Sequence, residues 1–226
     1  MADIVCIGAH PDDVEIGMGG TVAGFVRRGL SVLVVDLTDG EPTPYGTKET
    51  RAGEAAAAAR ILGVERITLE LPNRYLFDSV EARTALAALL RQHRPHTMFV
   101  PYPEDAHPDH VAASSIASAA RFYAKFTKTD MPGDPHYPAR LYRYMAVHLR
   151  LVREPSFIVD ISEDLPRKLD AIAAYESQFS ANPANAGLVD LVGDSARMWG
   201  QMARVEAGEP FFAVEPLALS APESLL

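Results

Sequence analysis

Residues 3–37 read DIVCIGAHPDDVEIGMGGTVAGFVRRGLSVLVVDL, and this stretch decides the fold. DIVCIGA (3–9) is a short apolar run ending in alanine after Gly8, the pattern of a buried strand. Beyond HPDD, apolar residues recur at helical spacing from Ile16 to Arg28 and stop at Gly29, a natural helix end. SVLVVDL (31–37) is again apolar without polar alternation, as strands covered on both faces tend to be. Strand, helix and second strand together make the unit from which parallel α/β sheets are built.

Working outward, the unit repeats. A loop at 38–47, punctuated by Asp39-Gly40, Pro42, Pro44 and Gly46, leads to an Ala-rich helix at 49–62 closed by Gly63. Strand 65–71, helix 79–93, strand 96–101 and helix 109–124 follow. The fold class predicted is α/β: an open, mostly parallel, Rossmann-like sheet with helices on both faces and right-handed crossovers. The second half is less regular. Residues 125–139 form a turn-rich insertion around MPGDPHYP, and strands are expected at 140–149 and 156–161. Helices are expected at 163–178 and 195–207, with 211–217 as an edge strand or packed tail. No repeat, low-complexity tract or linker divides the chain, so 1–226 reads as one domain.

Composition narrows the function. Lys and Arg total 21 against 30 Asp and Glu, a net charge of −9, with 48% hydrophobic residues. An acidic chain without a basic run is not built for nucleic acid or an anionic membrane surface. No stretch approaches the roughly 18 apolar residues that span a bilayer, and MADIVCIGAH is no secretory leader. The expectation is a cytoplasmic protein. Its one cysteine, Cys6, excludes an internal disulfide and a multi-cysteine metal cluster, and its place in a buried strand makes it a core residue.

Two loops carry the chemistry. The first strand ends in Gly8-Ala9-His10-Pro11-Asp12-Asp13, and strand 96–101 ends in Glu104-Asp105-Ala106-His107-Pro108-Asp109-His110. Ligands of open parallel sheets sit beyond the carboxyl ends of strands, so neighbouring strands would bring both loops to one crevice. A dinucleotide site, with Asp36 as the ribose acid, fits poorly: a phosphate turn needs glycines, and here it carries carboxylates. One Asp alone would read as a helix cap. Histidines and carboxylates converging from two loops suit a divalent metal, since imidazole nitrogen and carboxylate oxygen both bind zinc and leave a position for water.

AHPDDVE together with HPDH resembles the zinc-dependent N-acetylglucosamine deacetylase family, LmbE-like or PIG-L. IGAHPDDVEIGMGGT (7–21), Asp36-Leu37-Thr38, Thr50-Arg51, Leu71-Pro72-Asn73-Arg74, PYPED (101–105), VDIS (159–162) and YESQF (175–179) are most similar to its bacillithiol-type branch. The resemblance implies that His10, Asp13 and His110 hold Zn2+, a site that Fe2+, Mn2+ or Co2+ also suits. It implies Asp12 as general base and His107 as second catalytic group, with Asp109 as orienter of His107. It further implies removal of acetate from N-acetylglucosaminyl malate, whose carboxylates Arg51 and Arg74 would hold. The same chemistry on GlcNAc-inositol, a thiol S-conjugate amide or a chitooligosaccharide is the alternative, as is a non-catalytic metal- or sugar-binding module. Asn73 stands where the family more often has Asp, and Ala106 where close bacillithiol-type members often carry Arg. Both departures weigh against malate more than against deacetylation. The expected partners are a small GlcNAc conjugate and copies of the chain itself, as a hexamer or trimer. His93, His96, His136 and His148 read as surface or packing residues, and Trp199 as core or subunit contact.

Overall fold

The computed structural model describes residues 1–145, 147–149, 151 and 153–218. In its first half β1 (Ile4–Gly8), α1 (Asp13–Arg27), β2 (Val32–Asp36), α2 (Lys48–Leu62) and β3 (Glu65–Thr68) alternate as the sequence predicts. So do α3 (Val80–His93), β4 (Thr97–Pro101) and α4 (Pro108–Tyr123). The second half supplies β5 (Arg140–Tyr144), β6 (Phe157–Asp160), α5 (Leu165–Ala173), α6 (Leu188–Ala203) and β7 (Gly208–Ala213).

The strands form one seven-stranded sheet in the order β3-β2-β1-β4-β5-β7-β6. β1 pairs in parallel with β2 on one side and β4 on the other, so the strand order reverses between β1 and β4. Alternate residues of each strand point to opposite faces, and both faces are covered. Val5, Ile7, Leu33, Val35, Met98 and Val100 pack beneath α3 and α4. Ile4, Cys6, Val32, Val34 and Phe99 pack beneath α1, α2 and α5. That double covering is why these strands read as continuous apolar runs. Cys6 is fully buried, and burial pushes its thiol pKa up.

Four expectations change in the second half. Strand 140–149 stops at Tyr144, and the helices expected at 163–178 and 195–207 lie at 165–173 and 188–203. The last strand is no edge: β7 lies between β5 and β6, antiparallel to both, which leaves β6 outermost. The insertion after α4 is tied down by Arg91, whose guanidinium donates to the carbonyls of Ala124, Phe126, Met131 and Gly133.

α1 is interrupted at Met18, whose φ of −154° is not helical. The freed N–H groups of Gly20 and Thr21 donate to the Glu209 carboxylate of β7 at 3.0 and 2.7 Å. Lys168 of α5 completes the repair, donating to Glu209 and to the Ile16 carbonyl. Nearby, Asp36 accepts both Arg66 Nε and Nη2, at 2.6 and 2.7 Å, in a buried two-point pair. The acid that a ribose would need is therefore already occupied, which removes the dinucleotide reading.

Candidate functional site

The β1–α1 and β4–α4 loops meet above the switch point. His10 follows β1, Asp13 opens α1, and His107 and His110 stand at the start of α4. Asp13 Oδ2 accepts the backbone N–H groups of Ala9 and His10, both at 2.9 Å, which turns its other oxygen outward. Asp13 Oδ1 lies 3.1 Å from His110 Nε2, and that nitrogen lies 3.3 Å from His10 Nδ1. His10 Nδ1 is 3.7 Å from Asp13 Oδ2. Tetrahedral ligands at zinc bond lengths of about 2.0–2.1 Å stand about 3.3 Å apart, the spacing of His110 Nε2 from both Asp13 Oδ1 and His10 Nδ1.

Each imidazole is aimed by a carboxylate on its far nitrogen. His10 Nε2 faces Asp109 Oδ2 at 3.1 Å, and His110 Nδ1 faces Asp105 Oδ2 at 2.8 Å. Such partners fix the ring and its tautomer, leaving His10 Nδ1 and His110 Nε2 to converge on the centre. Asp109 therefore does not orient His107 through its carboxylate, as the sequence suggested. That carboxylate is taken by His10 and by the backbone N–H groups of Arg74 and Leu76, at 2.7 and 3.2 Å. Burial raises the Asp109 pKa, but these hydrogen bonds outweigh it and hold the carboxyl below its ordinary range. Only the Asp109 backbone N–H reaches His107, donating to Nδ1 at 3.1 Å.

This bond defines His107. With Nδ1 accepting a hydrogen bond, the neutral ring carries its proton on Nε2, and burial followed by the His10 imidazole holds its pKa below the ordinary histidine value. The ring packs edge-on to His10 and stacks on His110, with centroids 4.7 and 4.9 Å away. His10, His107 and His110 could also act together as ligands, since their nitrogens lie within 4.8 Å of one another. Asp13 Oδ1, 3.1 Å from His110 Nε2, is the other candidate for the third position, and the Nδ1 bond leaves a neutral His107 with a donor at Nε2.

Asp12 sits beside this group with a φ of 115°, a backbone conformation that residues other than glycine rarely adopt. It is held there by Arg51 Nη2, which donates to Asp12 Oδ2 at 3.0 Å and to the Pro11 carbonyl. Burial pushes the Asp12 carboxyl up, to about 7, against the pull of Arg51. Arg51 is 3% exposed, and its Nε and Nη1 are buried without a hydrogen-bond partner. Its Nη2 is thus committed to Asp12 and Pro11, while the guanidinium also lines the cavity. Arg74, at the rim, uses Nη2 on the Pro42 carbonyl at 2.6 Å.

All eight side chains singled out from the sequence fall in this region. Sequence reasoning missed Asp105 as the partner of His110, though the acid stood in the quoted loop. It also passed over His148, whose ring lies 5.1 Å from that of His110 and whose backbone N–H donates to Asp105. Trp199 lines the same cavity of about 730 Å³, together with Asn73, Gln178 and Lys168. Neither His148 nor Trp199 carries a motif, so no local signal could have placed them there.

Residues 5–121 match the family model described as GlcNAc-PI de-N-acetylase, PIG-L. A diacetylchitobiose deacetylase of Thermococcus kodakarensis is 32% identical over 192 residues, covering 78% of this chain and 70% of that one. A 1D-myo-inositol 2-acetamido-2-deoxy-alpha-D-glucopyranoside deacetylase of Mycobacterium sp. (strain JLS) is 27% identical, covering 80% and 75%. Among solved structures, a conserved protein of Thermus thermophilus superposes with a TM-score of 0.89 at 39% identity, over 97% of both chains.

Proposed function

The chain belongs to the PIG-L family of de-N-acetylases, and from that membership we propose that it hydrolyses the acetamide of an N-acetylglucosamine conjugate with a bound divalent metal. The observation that carries this reading is the convergence of His10 Nδ1, Asp13 Oδ1 and His110 Nε2, with Asp12 beside them and outside the ligand set. Two imidazoles and one carboxylate suit Zn2+ with a position to spare, and the same donors accept Fe2+, Mn2+ or Co2+.

When bound, the metal supplies Lewis acidity, polarising the acetamide carbonyl and lowering the pKa of water toward about 7. The protein does the rest. Asp12, with its carboxyl raised to about 7, takes the proton of the attacking water and passes it to the departing amine. Arg51 keeps that carboxylate in place through Nη2. His107 directs Nε2–H at the carbonyl oxygen as negative charge collects there. Asp105 and Asp109 keep His110 and His10 in register. A module that only binds metal or sugar has no use for a carboxylate held in a strained backbone by a buried arginine.

The aglycone is best read as uncharged. Of the cations lining the cavity, Arg51 is paired with Asp12 and Lys168 with Glu209, which leaves Arg74 alone without a carboxylate partner among the described residues. Malate would bring two carboxylates to one arginine. GlcNAc-inositol and a chitooligosaccharide, the substrates named for the relatives above, make no such demand, and a thiol S-conjugate amide has less support. The reading carries with it a single folding unit over 1–226, a cytoplasmic enzyme and assembly into trimers or hexamers. No described helix is long and apolar enough to cross a membrane.

Acetate release from metal-loaded protein, compared across GlcNAc-inositol, diacetylchitobiose and GlcNAc-malate, tests the proposal. Turnover of either neutral conjugate supports it; release from GlcNAc-malate alone would overturn the neutral-aglycone reading, and no release from any would overturn the enzyme.

A further inference from the structure

The cavity that contains His10 and His107 continues along α6, and its character changes there. Leu188, Leu191 and Trp199 follow one another at helical spacing on the wall, with Met198 beside them. An amphipathic helix ordinarily buries such a stripe against the core. Here Leu191 and Met198 stay 44% and 49% exposed, facing the cavity. Leu149 and Leu151, beyond β5, also line this cavity. The charged residues of this helix, Asp190, Asp194 and Arg197, are absent from the lining. Ser195 is on it, but its hydroxyl donates back to the Leu191 carbonyl at 2.8 Å.

At about 730 Å³ the cavity lies high in the roughly 300–1,000 Å³ range of drug-sized ligand sites, with room beyond one sugar ring. Polyhydroxylated groups along the leucine walls would surrender hydrogen bonds to water and find few replacements. We propose that this half of the cavity is an aglycone subsite for an apolar alkyl or aryl group carried by the sugar. The subsite rests on the deacetylase reading, because the acetamide must lie at the metal for the aglycone to reach α6. Its concavity and its continuity with the catalytic group favour a ligand over a second copy of the chain.

The test uses metal-loaded full-length protein with methyl, butyl, hexyl and phenyl glycosides of N-acetylglucosamine, beside diacetylchitobiose and GlcNAc-inositol. Acetate release and calorimetric binding are measured on each. Burying a methylene is worth about fourfold in affinity, so kcat/KM should rise at least about tenfold from methyl to hexyl, mainly through KM. In Leu191→Gln and Met198→Gln, the hexyl-to-methyl ratio within each variant should fall below about threefold. A flat chain-length profile, or a polar conjugate surpassing the hexyl glycoside, overturns the subsite and leaves the deacetylase standing. Tighter hexyl binding without acetate release from any compound upholds an apolar subsite and overturns the deacetylase. Light scattering separates the other occupant: a Leu191→Gln protein of lower mass with an unchanged ratio would make this wall a contact between chains and overturn the proposal.

Discussion

Asp109 accepts a hydrogen bond from His10 Nε2 at 3.1 Å across 99 positions of sequence, joining the two loops that build the proposed metal site. The same carboxylate anchors the backbone of Arg74 and Leu76, so it aims a ligand and shapes the rim together. Asp109→Asn should lower zinc affinity by about 10–100-fold, the usual effect of losing a partner behind a ligating histidine. Competition with a chromogenic chelator measures this, and unchanged affinity would mean that His10 needs no such support.

Metal loading should release a proton. His110 lies between Asp105 and Asp13, at 2.8 and 3.1 Å. Burial lowers its pKa, but the two carboxylates outweigh that and raise it to about 10. A metal at Nε2 must displace this proton, so affinity rises with pH at every pH below about 10. Calorimetry of zinc binding near pH 7, in buffers of differing ionisation enthalpy, should count about one proton released. A count of zero would show that His110 is already neutral.

Replacing Asp12 separates catalysis from strain. Asp12→Ala and Asp12→Gly both remove the carboxylate and should both lose about a hundredfold or more in kcat. Only alanine must still endure a φ of 115°. Asp12→Gly should therefore be the more stable of the two by about 1 kcal/mol, read by urea unfolding. Equal stabilities would mean that the backbone relaxes at no cost.

Arg51→Lys tests what the buried arginine does. Lysine keeps the charge but not the planar guanidinium whose Nη2 reaches both Asp12 and the Pro11 carbonyl. If Arg51 serves Asp12, kcat should fall about tenfold or more while KM hardly moves. A raised KM with unchanged kcat would instead give Arg51 to the substrate.

The sequence makes the first half of the fold plain because parallel strands buried on both sides announce themselves as apolar runs, and Gly29 and Gly63 mark where helices end. It makes the centre plain because both loops carry histidine and carboxylate together. What it hides are relationships without a local signature. β7 slips between β5 and β6, a pairing that no neighbour in the chain suggests. His148 reaches the site on a loop that lacks any motif. Asp109 could not be assigned to His10 over His107 from spacing, because His107 is two residues away while the true partner arrives from another strand.

The clasp of Lys168 and Glu209 on the broken helix sets an order of events during synthesis. Glu209 caps Gly20 from 189 residues downstream, so this contact cannot form until nearly the whole chain has left the ribosome. The interrupted helix α1 emerges early, and the capping of Gly20 and Thr21 is among the last contacts to form. A nascent chain halted before residue 209 would leave Gly20 and Thr21 of α1 uncapped, and a complete β7 is the condition for a finished N-terminal helix.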